Sequence, residues 1–336
     1  MSYRILVTGG CGFIGSHYVR YLLNHHPDIE VINADALKYS ANPLNLVDME
    51  EDPRYIFAQV DLADERQVRS LFRREIHEVV HFAAESHVDR SIRETRHFIL
   101  SNIVATHHLL EEARQAKHLE RMVHVSTDEV YGSVPQGRTR EEAPLSPGNP
   151  YSATKAGSDL LCMAYHNTYG LNVTITRCTN NYGPNQHPEK MIPRFILNAL
   201  QDRPLPVYGS GLQQRDWIHV EDHCAAVDRI RRQGKPGEVY HIGSEHTVPN
   251  MEIARMILSI MDKPESLLQR VSDRPGHDFR YSLSTEKIRS QLSWSPRIPL
   301  EKGLADTVAW FRKQTRWLHT FDEGEPESGG YEGSYR

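Results

Sequence analysis

A glycine-rich turn near the N-terminus constrains the fold of this chain more than any other feature. The apolar run Ile5-Leu6-Val7 is followed directly by the segment GGCGFIG at residues 9–15. Its glycines at Gly9, Gly12 and Gly15 have the spacing that lets backbone N–H groups and a helix N-terminus approach a pyrophosphate. The last glycine also lets that helix pack closely on a sheet. The pattern therefore predicts a strand, a tight turn and a helix that together bind a dinucleotide.

The rest of the first half alternates between short apolar runs and segments of helical period. Strand-like runs cover residues 30–33, 55–60, 79–83 and 122–126, and helical segments cover 13–23 and 68–72. Longer helices are predicted from about Thr95 to Ala116 and from about Tyr151 to Tyr169, before a strand at 173–176. This alternation is typical of a doubly wound parallel sheet with crossover helices. We therefore expect an α/β, Rossmann-like fold.

Two carboxylates extend the dinucleotide interpretation. Asp35 stands at the predicted end of the second strand, about 20 residues after the glycine-rich turn, where a carboxylate accepts hydrogen bonds from the adenosine ribose. A carboxylate there would repel a 2′-phosphate, so NAD is favoured over NADP. Asp61 follows the strand that ends at Val60. It could accept a hydrogen bond from the adenine amino group or simply shape the turn.

The sequence pattern changes after residue 177, where prolines recur between short helical and extended segments. We predict an NAD-binding Rossmann domain over residues 1–177, with later segments at about 215–242 returning to it. A smaller C-terminal substrate-binding lobe is predicted over 178–320. Residues 321–336 are acidic and rich in Gly and Ser, so a mobile tail is expected there.

Composition argues against several other classes of protein. No apolar run approaches the roughly 18 residues of a membrane span, and the N-terminus lacks the features of a signal peptide, so we expect a cytoplasmic protein that contacts no membrane. The net charge is −5 and the basic residues are dispersed, so no nucleic-acid partner is expected. Cys11, Cys162, Cys178 and Cys224 are far apart and no H-E-x-x-H motif occurs. Neither a disulfide nor a metal site is therefore expected.

A Tyr-x-x-x-Lys pair, Tyr151 and Lys155, opens the second long helix. Residues four apart share a helix face, so the Lys155 ammonium is expected to lower the pKa of the Tyr151 phenol while it contacts the nicotinamide ribose. The phenolate could then take a proton from a hydroxyl group as hydride leaves the same carbon.

The preceding strand ends in Ser126-Thr127-Asp128-Glu129. Beside a newly formed ketone, one of the adjacent carboxyls could remove the α-proton while the other protonates a leaving hydroxyl. The sequence thus indicates an elimination as well as an oxidation. An Asp-Glu pair at a strand end can also be a solvated cap.

Several segments together resemble one known group of enzymes. They are GGCGFIGS, FAAESHVDRSI, STDEVYG, PYSATKAGSD, TRCTNNYGPNQHPEKMIP, PLPVYGSG, RDWIHVEDH, GEVYHIG and DRPGHDFRY. From about residue 3 to 315 the chain resembles the extended short-chain dehydrogenase/reductases, and within them the nucleotide-sugar 4,6-dehydratases. The Thr-Asp-Glu triplet discriminates best, because related epimerases and decarboxylases usually have another residue where Asp128 stands.

The resemblance implies dehydration of a nucleotide-linked glucose. Tyr151 would act on the C4 hydroxyl with Lys155 and Thr127, Glu129 would take the C5 proton, and Asp128 would protonate the C6 hydroxyl. NAD would carry the hydride from C4 to C6. The implied substrate is dTDP-glucose. UDP-glucose is the alternative, because the sequence identifies no residue that would distinguish thymine from uracil by its methyl group. A C4 epimerase or decarboxylase and a non-catalytic NAD-sensing Rossmann protein are further alternatives.

The resemblance also implies binding residues and an assembly. Implied NAD contacts are Gly9, Gly12, Phe13, Ile14, Gly15, Asp35, Lys38, Asp61, Leu62, Ala83, Ala84, Ser101, Tyr151, Lys155 and Asn181. Implied substrate contacts are Ser86, Thr127, Asn180, Lys190, Met191, Pro206, Val207, Tyr208, Arg215, Asn250, Arg274 and His277. The family commonly has Lys-Leu-Thr-Tyr after Asp35, whereas this chain has Ala-Leu-Lys-Tyr, so a lysine near the cofactor is missing or displaced. The two long helices are expected to form a four-helix bundle in a homodimer.

Overall fold

The computed structural model describes residues 3–273, 276–314, 317–318 and 320. The predicted tail at 321–336 and the predicted substrate contact Arg274 lie outside the described residues.

The strands are β1 (Tyr3–Thr8), β2 (Ile29–Asp35), β3 (Tyr55–Gln59), β4 (Glu78–His81), β5 (Arg121–Thr127), β6 (Val173–Cys178), β7 (Asn180–Tyr182), β8 (Leu205–Tyr208), β9 (Gln214–His219), β10 (Val239–Ile242), β11 (Thr247–Pro249) and β12 (Leu268–Val271). The α-helices are α1 (Phe13–His25), α2 (Glu65–Leu71), α3 (Val88–Arg93), α4 (Thr95–Phe98), α5 (Ala105–Gln115), α6 (Pro150–Tyr169), α7 (Met191–Leu200), α8 (Val220–Gln233), α9 (Asn250–Ile260), α10 (Glu286–Leu292) and α11 (Leu300–Phe311). A π-helical segment, Ile99–Val104, joins α4 to α5, and 3₁₀ turns cover Pro43–Met49, Asp128–Tyr131 and Glu265–Leu267.

A parallel sheet forms the centre of the fold. Its strand order, within the part of the chain that the structure describes, is β10-β6-β5-β4-β1-β2-β3, and every pair is parallel. Apolar strands such as β1 are buried on both faces because helices cover the sheet on each side. The strand order reverses at β1, and ligands of doubly wound folds bind at the carboxyl ends of the strands beside such a point. The predicted α/β, Rossmann-like fold is confirmed.

Separate helix layers cover the two faces of the sheet. Helices α1 and α8 contact each other on one face, where Tyr18, Leu22 and Ile230 are completely buried. Helices α2, α5 and α6 cover the opposite face around Leu109 and Cys162. The long helix α6 therefore runs from the site edge of the sheet across its back.

The C-terminal lobe has its own apolar core. Strands β7, β9 and β11 form a small sheet, β8 pairs with β12, and helices α7, α9 and α11 pack around Phe195, Ile257 and Leu304. Between β9 and β11 the chain returns to the central sheet, where β10 pairs with β6. The return differs in detail from the predicted span of 215–242. Strand β9 stays in the lobe, whereas α10 packs against β10, because its Ile288 and Leu292 complete the core of the Rossmann domain.

The cysteines are buried and none forms a disulfide. Among the residues described, no helix is long and apolar enough to cross a membrane. The same residues contain no group of three or more His, Cys, Asp or Glu side chains arranged to hold a metal ion.

Candidate active site

A cleft at the carboxyl ends of the parallel strands gathers most of the predicted site residues. Its cavity has a volume of about 310 Å³, at the lower end of the range for small-molecule sites. The predicted residues in its wall are Gly9, Gly12, Phe13, Ile14, Gly15, Asp35, Lys38, Asp61, Leu62, Ala83, Ala84, Ser86, Ser101, Thr127, Asp128, Glu129, Tyr151, Lys155, Asn180, Asn181 and Lys190. They converge because the loops after neighbouring parallel strands meet at one edge of the sheet.

The glycine-rich turn after β1 leaves a helix N-terminus open to an anion. Gly9 has φ +70°, and a Cβ there would lie 2.7 Å from the Ala83 Cα; a Cβ on Gly15 would lie 2.2 Å from the Gly9 carbonyl oxygen. Gly12 is the N-cap of α1, makes no side-chain capping bond, and is followed by no acidic residue in the first turn. The partial positive charge of that terminus and its N–H groups suit a pyrophosphate, so these residues fit a dinucleotide.

Asp35 closes the cavity at the end of β2. Its Oδ1 accepts the Leu37 N–H at 2.8 Å and its Oδ2 accepts the Cys11 N–H at 2.9 Å. Burial raises the pKa of this carboxyl, although the two backbone donors oppose the shift. Each carboxylate oxygen can still accept a second hydrogen bond, such as one from a ribose hydroxyl.

After Asp35 the family commonly has a lysine in the next position, whereas this chain has its lysine two residues later, at Lys38. Lys38 lies in the cavity wall, and its Nζ is 2.8 Å from Oδ2 of Asp61. Partial burial acts to raise the pKa of Asp61, but the hydrogen bond and charge of Lys38 together with the Ala63 N–H donor lower it overall. Asp61 also accepts the Ala63 N–H at 3.0 Å. It therefore shapes the turn and contributes to the cavity at the same time.

Local sequence signals position the two segments that carry the predicted catalytic residues. Asn149 and Ser152 form a capping box that starts α6, with Asn149 Oδ1 accepting the Ser152 N–H at 2.9 Å. Tyr151 therefore lies in the first helical turn, and its N–H donates to Ser91 Oγ at 3.2 Å. At the end of β5 the Thr127 hydroxyl accepts the Glu129 N–H at 3.3 Å, which bends the chain into a 3₁₀ turn.

The electrostatics at Tyr151 differ from the sequence prediction. Burial raises the pKa of the phenol well above its usual value and the charge of Glu129 adds to the shift, while a hydrogen bond with Thr127 opposes it. The Lys155 ammonium, 4 % exposed, donates to the Val125 carbonyl oxygen at 2.8 Å. The net shift of the Tyr151 pKa is therefore upward, opposite in direction to the expected lowering, because removal of water and a nearby carboxylate dominate.

Asp128 is the most unusual acid in the cleft. It is 3 % exposed, accepts the Thr127 hydroxyl on Oδ1 at 3.2 Å, and has no hydrogen-bond partner for Oδ2 among the residues described. Burial raises the pKa of Asp128 well above its usual value, Glu129 raises it further, and Arg215 opposes the shift. Burial thus favours the protonated form of Asp128 beside a second carboxyl group, which is the pairing that proton removal and proton delivery require.

Other buried polar atoms in the cavity wall lack partners. They are Oγ of Ser126, Oγ1 of Thr179, Oδ1 of Asn180, Oδ1 of Asn181 and Oε1 of Gln186, and none finds a hydrogen bond within the described residues. Such atoms cost stability unless something pairs with them. Their convergence indicates a polar ligand at this end of the cleft.

The remaining predicted substrate residues lie in the lobe and do not line this cavity. They are Met191, Pro206, Val207, Tyr208, Arg215, Asn250 and His277. Arg215 is buried over the Tyr281 ring, 4.4 Å from its centroid, and donates to the Asp278 carbonyl oxygen at 2.9 Å. His277 contacts Asp273 at 2.6 Å and the Tyr208 ring edge-on. The structure thus places these residues in a second group beside the cleft.

Sequence reasoning missed Asn102, which joins two walls of the site. This buried residue of the π-helical segment accepts the Glu85 N–H at 2.9 Å and donates to Thr154 Oγ1 at 2.9 Å. It fixes the loop after β4 against α6. A polar residue in an otherwise apolar helical stretch is the signal that would have identified it, and π-helical turns often occur at functional sites.

The chain matches proteins of known type over almost its full length. The family model described as GDP-mannose 4,6 dehydratase matches residues 6–307. The chain is 46% identical to a dTDP-glucose 4,6-dehydratase of Streptomyces niveus, with 97% of this chain and 98% of that protein covered. It is 42% identical to dTDP-glucose 4,6-dehydratase 1 of Escherichia coli strain K12, with 97% of each covered.

Solved structures show the same likeness in three dimensions. The dTDP-glucose 4,6-dehydratase DesIV from Streptomyces venezuelae, solved with NAD bound, superposes with a TM-score of 0.90 at 48% identity, covering 94% of this chain and 98% of that one. A UDP-glucose 4-epimerase from Thermotoga maritima superposes with a TM-score of 0.85 at only 29% identity, covering 92% and 99%. The fold is therefore shared with epimerases. Given the match to the family model and the identity to curated relatives over nearly their whole length, this chain belongs to the nucleotide-sugar 4,6-dehydratase family.

Proposed function

We propose that this protein is an NAD-dependent hydro-lyase that converts dTDP-glucose to dTDP-4-keto-6-deoxy-glucose. The observation that carries the proposal is the buried Asp128, whose pKa is raised, next to Glu129 and in the same cleft as Tyr151 and Lys155. An enzyme that only oxidises or inverts C4 has no use for an acid and a base of this kind. The relatives named as dTDP-glucose 4,6-dehydratases support the same activity.

The residues around the cleft fit NAD in a defined order. The open N-terminus of α1 would bind the pyrophosphate, Asp35 the adenosine ribose and Lys155 the nicotinamide ribose. NAD bound there would take a hydride from sugar C4 and later return it to C6.

The side chains of the protein would handle the protons in sequence. Because the pKa of Tyr151 is high, its phenol needs the neighbouring Lys155 charge to ionise, and the phenolate is then a strong base for the C4 hydroxyl proton. Once C4 is a ketone the C5 proton becomes acidic, and Glu129 takes it. Asp128 gives its proton to the C6 hydroxyl, which leaves as water. When C6 receives the hydride, C5 is protonated again with a proton that can exchange with solvent, which completes the 4-keto-6-deoxy product.

The test uses the purified protein without added cofactor, incubated separately with dTDP-glucose and UDP-glucose in deuterated water. We expect dTDP-glucose to lose one water and to gain one deuterium at C5, as measured by mass spectrometry, and Tyr151→Phe to abolish the reaction. Faster conversion of UDP-glucose would reassign the nucleotide. Failure of both sugars to lose water, with NAD added, would refute dehydration and favour a C4 epimerase.

We also propose that the protein works as a homodimer in the cytoplasm. The helical layer of α4 to α6 leaves Ile99, Leu160 and Tyr169 exposed, at 43, 61 and 56 %. Pairing of these faces between two copies would bury them in a four-helix bundle. The four buried thiols that form no disulfide fit a reducing compartment.

A further inference from the structure

One helical turn beyond Lys155, α6 carries a carboxylate that is completely buried. Asp159 has no exposed surface, and Arg177 on β6 donates to its Oδ2 through Nε at 2.8 Å. Nε2 of His124 on β5 lies 3.4 Å from its Oδ1. A buried charge is costly unless it is paired, and nothing in the proton transfers derived above uses this one.

The histidines, thiols and phenol around Lys155 are uncharged, so Asp159 is the group that can act as its counter-charge. His81 on β4 and His124 on β5 are buried, and burial lowers the pKa of both, to about 4 for His124, so they are neutral at physiological pH. Burial raises the pKa of the Cys162 and Cys178 thiols and of the Tyr151 phenol, so these groups are also uncharged.

Arg177 is the second cation in this region. It is 4 % exposed, and besides Asp159 it contacts the Tyr131 hydroxyl at 2.5 Å. That hydroxyl in turn contacts Nε2 of His241 at 2.7 Å, and burial lowers the pKa of His241 to about 3. Tyr131 and His241 are therefore neutral partners, although His241 also lies beside the Glu141 carboxylate. Among the residues described, Asp159 is the carboxylate that Arg177 contacts and that lies one helical turn from Lys155.

We infer that Asp159 is a positioning residue that acts through Lys155: its buried carboxylate is the counter-charge that keeps the Lys155 amine cationic beside Tyr151. Burial alone favours the neutral amine, and among its neighbours Asp159 opposes that tendency most strongly. Without Asp159, no carboxylate would oppose the effect of burial on Lys155, and the amine would lose its proton more easily. The inference rests on the proposed function for the catalytic role of Lys155.

The test compares Asp159→Asn, which removes the charge and keeps the shape, with Asp159→Glu, which keeps the charge. The Lys155 side chain is titrated in the holoenzyme by NMR of ¹³C-labelled lysine, with its resonance assigned by loss in Lys155→Met. We expect Asp159→Asn to lower the pKa of Lys155 by about one unit or more and Asp159→Glu to restore most of it. An unchanged Lys155 titration in Asp159→Asn would overturn the inference.

Kinetics give a second readout that depends on the proposed function. In Asp159→Asn the alkaline limb of the kcat profile should move to lower pH, with kcat at alkaline pH falling about tenfold for each unit that the Lys155 pKa falls and KM for the sugar changing less. If the wild type converts no sugar, the proposed function fails while the NMR titration still decides the role of Asp159.

Two further variants control for folding. Asp228→Asn removes another buried carboxylate, 1 % exposed and bound by Arg231 at 2.8 Å on the opposite face of the sheet. It should reduce stability without moving the Lys155 titration. If Asp159→Asn does not fold, Arg177→Gln should raise the Lys155 pKa, because Asp159 then serves one cation; a lowered or unchanged pKa would contradict the inference.

Discussion

At the scale of single residues, burial sets the protonation states of the site. Asp128 and Glu129 are neighbours in sequence, and burial of Asp128 at the end of β5 raises its pKa and favours its protonated form. Burial likewise raises the pKa of Tyr151 and makes it a weaker acid. The carboxyl groups of Asp128 and Glu129 look equivalent in the sequence. Exclusion of solvent favours Asp128 as the acid of the pair and leaves Glu129 as the base.

Replacement of Asp128 by Asn should separate elimination from the earlier steps. We expect dehydration to fall about 10²-fold or more, because the acid for the C6 hydroxyl is gone. Exchange of the C5 proton with deuterated water, measured by mass spectrometry of recovered sugar, should persist in Asp128→Asn and disappear in Glu129→Gln. Equal loss of exchange in both variants would contradict the division of roles.

The raised pKa of Asp128 also predicts how stability depends on pH. A carboxyl whose pKa is higher in the folded than in the unfolded state binds more protons when folded, so the free energy of unfolding falls as pH rises from about 4 toward the folded pKa. Asp128→Asn removes this fall in the free energy of unfolding, because asparagine does not titrate. The Tm difference between variant and wild type should therefore become more positive as pH rises through that window. Thermal unfolding at a series of pH values checks it, and a constant difference would show that Asp128 titrates normally.

At the scale of elements, two glycines in the turn between β1 and α1 have different roles: one is needed for the turn to fold and the other for a ligand to approach. Gly15 lies against the backbone of Gly9, so the turn itself requires a missing side chain there. A Cβ on Gly12 would meet the Gly9 carbonyl oxygen at 3.2 Å, which needs only a small adjustment. Gly12 is therefore kept small mainly so that a ligand can approach the α1 N-terminus.

This difference predicts opposite effects for two alanine substitutions. Gly15→Ala should lower the free energy of unfolding by about 1–3 kcal/mol, because its Cβ would lie 2.2 Å from backbone. Gly12→Ala should fold with nearly unchanged stability and lose NAD affinity. Thermal unfolding and titration of the stripped protein with NAD measure the two effects. Wild-type NAD affinity in Gly12→Ala would argue against a pyrophosphate at this turn.

At the scale of the whole molecule, the exposed apolar face of α6 predicts assembly. Leu160 is 61 % exposed near the middle of the helix, and its substitution by Glu should dissociate the proposed dimer without unfolding the protomer. The matched control is Val47→Glu, because Val47 is 53 % exposed but lies on the 3₁₀ turn away from the bundle. Light scattering after size-exclusion chromatography measures the mass of each variant. A wild-type monomer, or a dimer that survives Leu160→Glu, would rule out this interface.

Much of the fold and part of the site were predictable from local patterns. Short-range rules cover the glycine-rich turn, the apolar strands and the start of α6 at its Asn149 cap, because each depends on residues a few positions apart. The carboxyl-end placement of Thr127, Tyr151 and Lys155 follows from those elements. The return of α10 to the central sheet was not predictable, since its apolar face could have packed in either core.

The sequence by itself indicated the alternation of strands and helices up to about residue 176, the glycine turn that suits a dinucleotide, and the candidate reactive groups Tyr151, Lys155, Asp128 and Glu129. Only the tertiary structure decided their protonation, the pairing of Lys38 with Asp61, and the placement of Asp159 behind Lys155. The physical reason is the distance along the chain over which each kind of interaction acts. Turn and helix propensities act within a few residues, whereas a pKa depends on burial and on charges brought together from strands far apart in the chain.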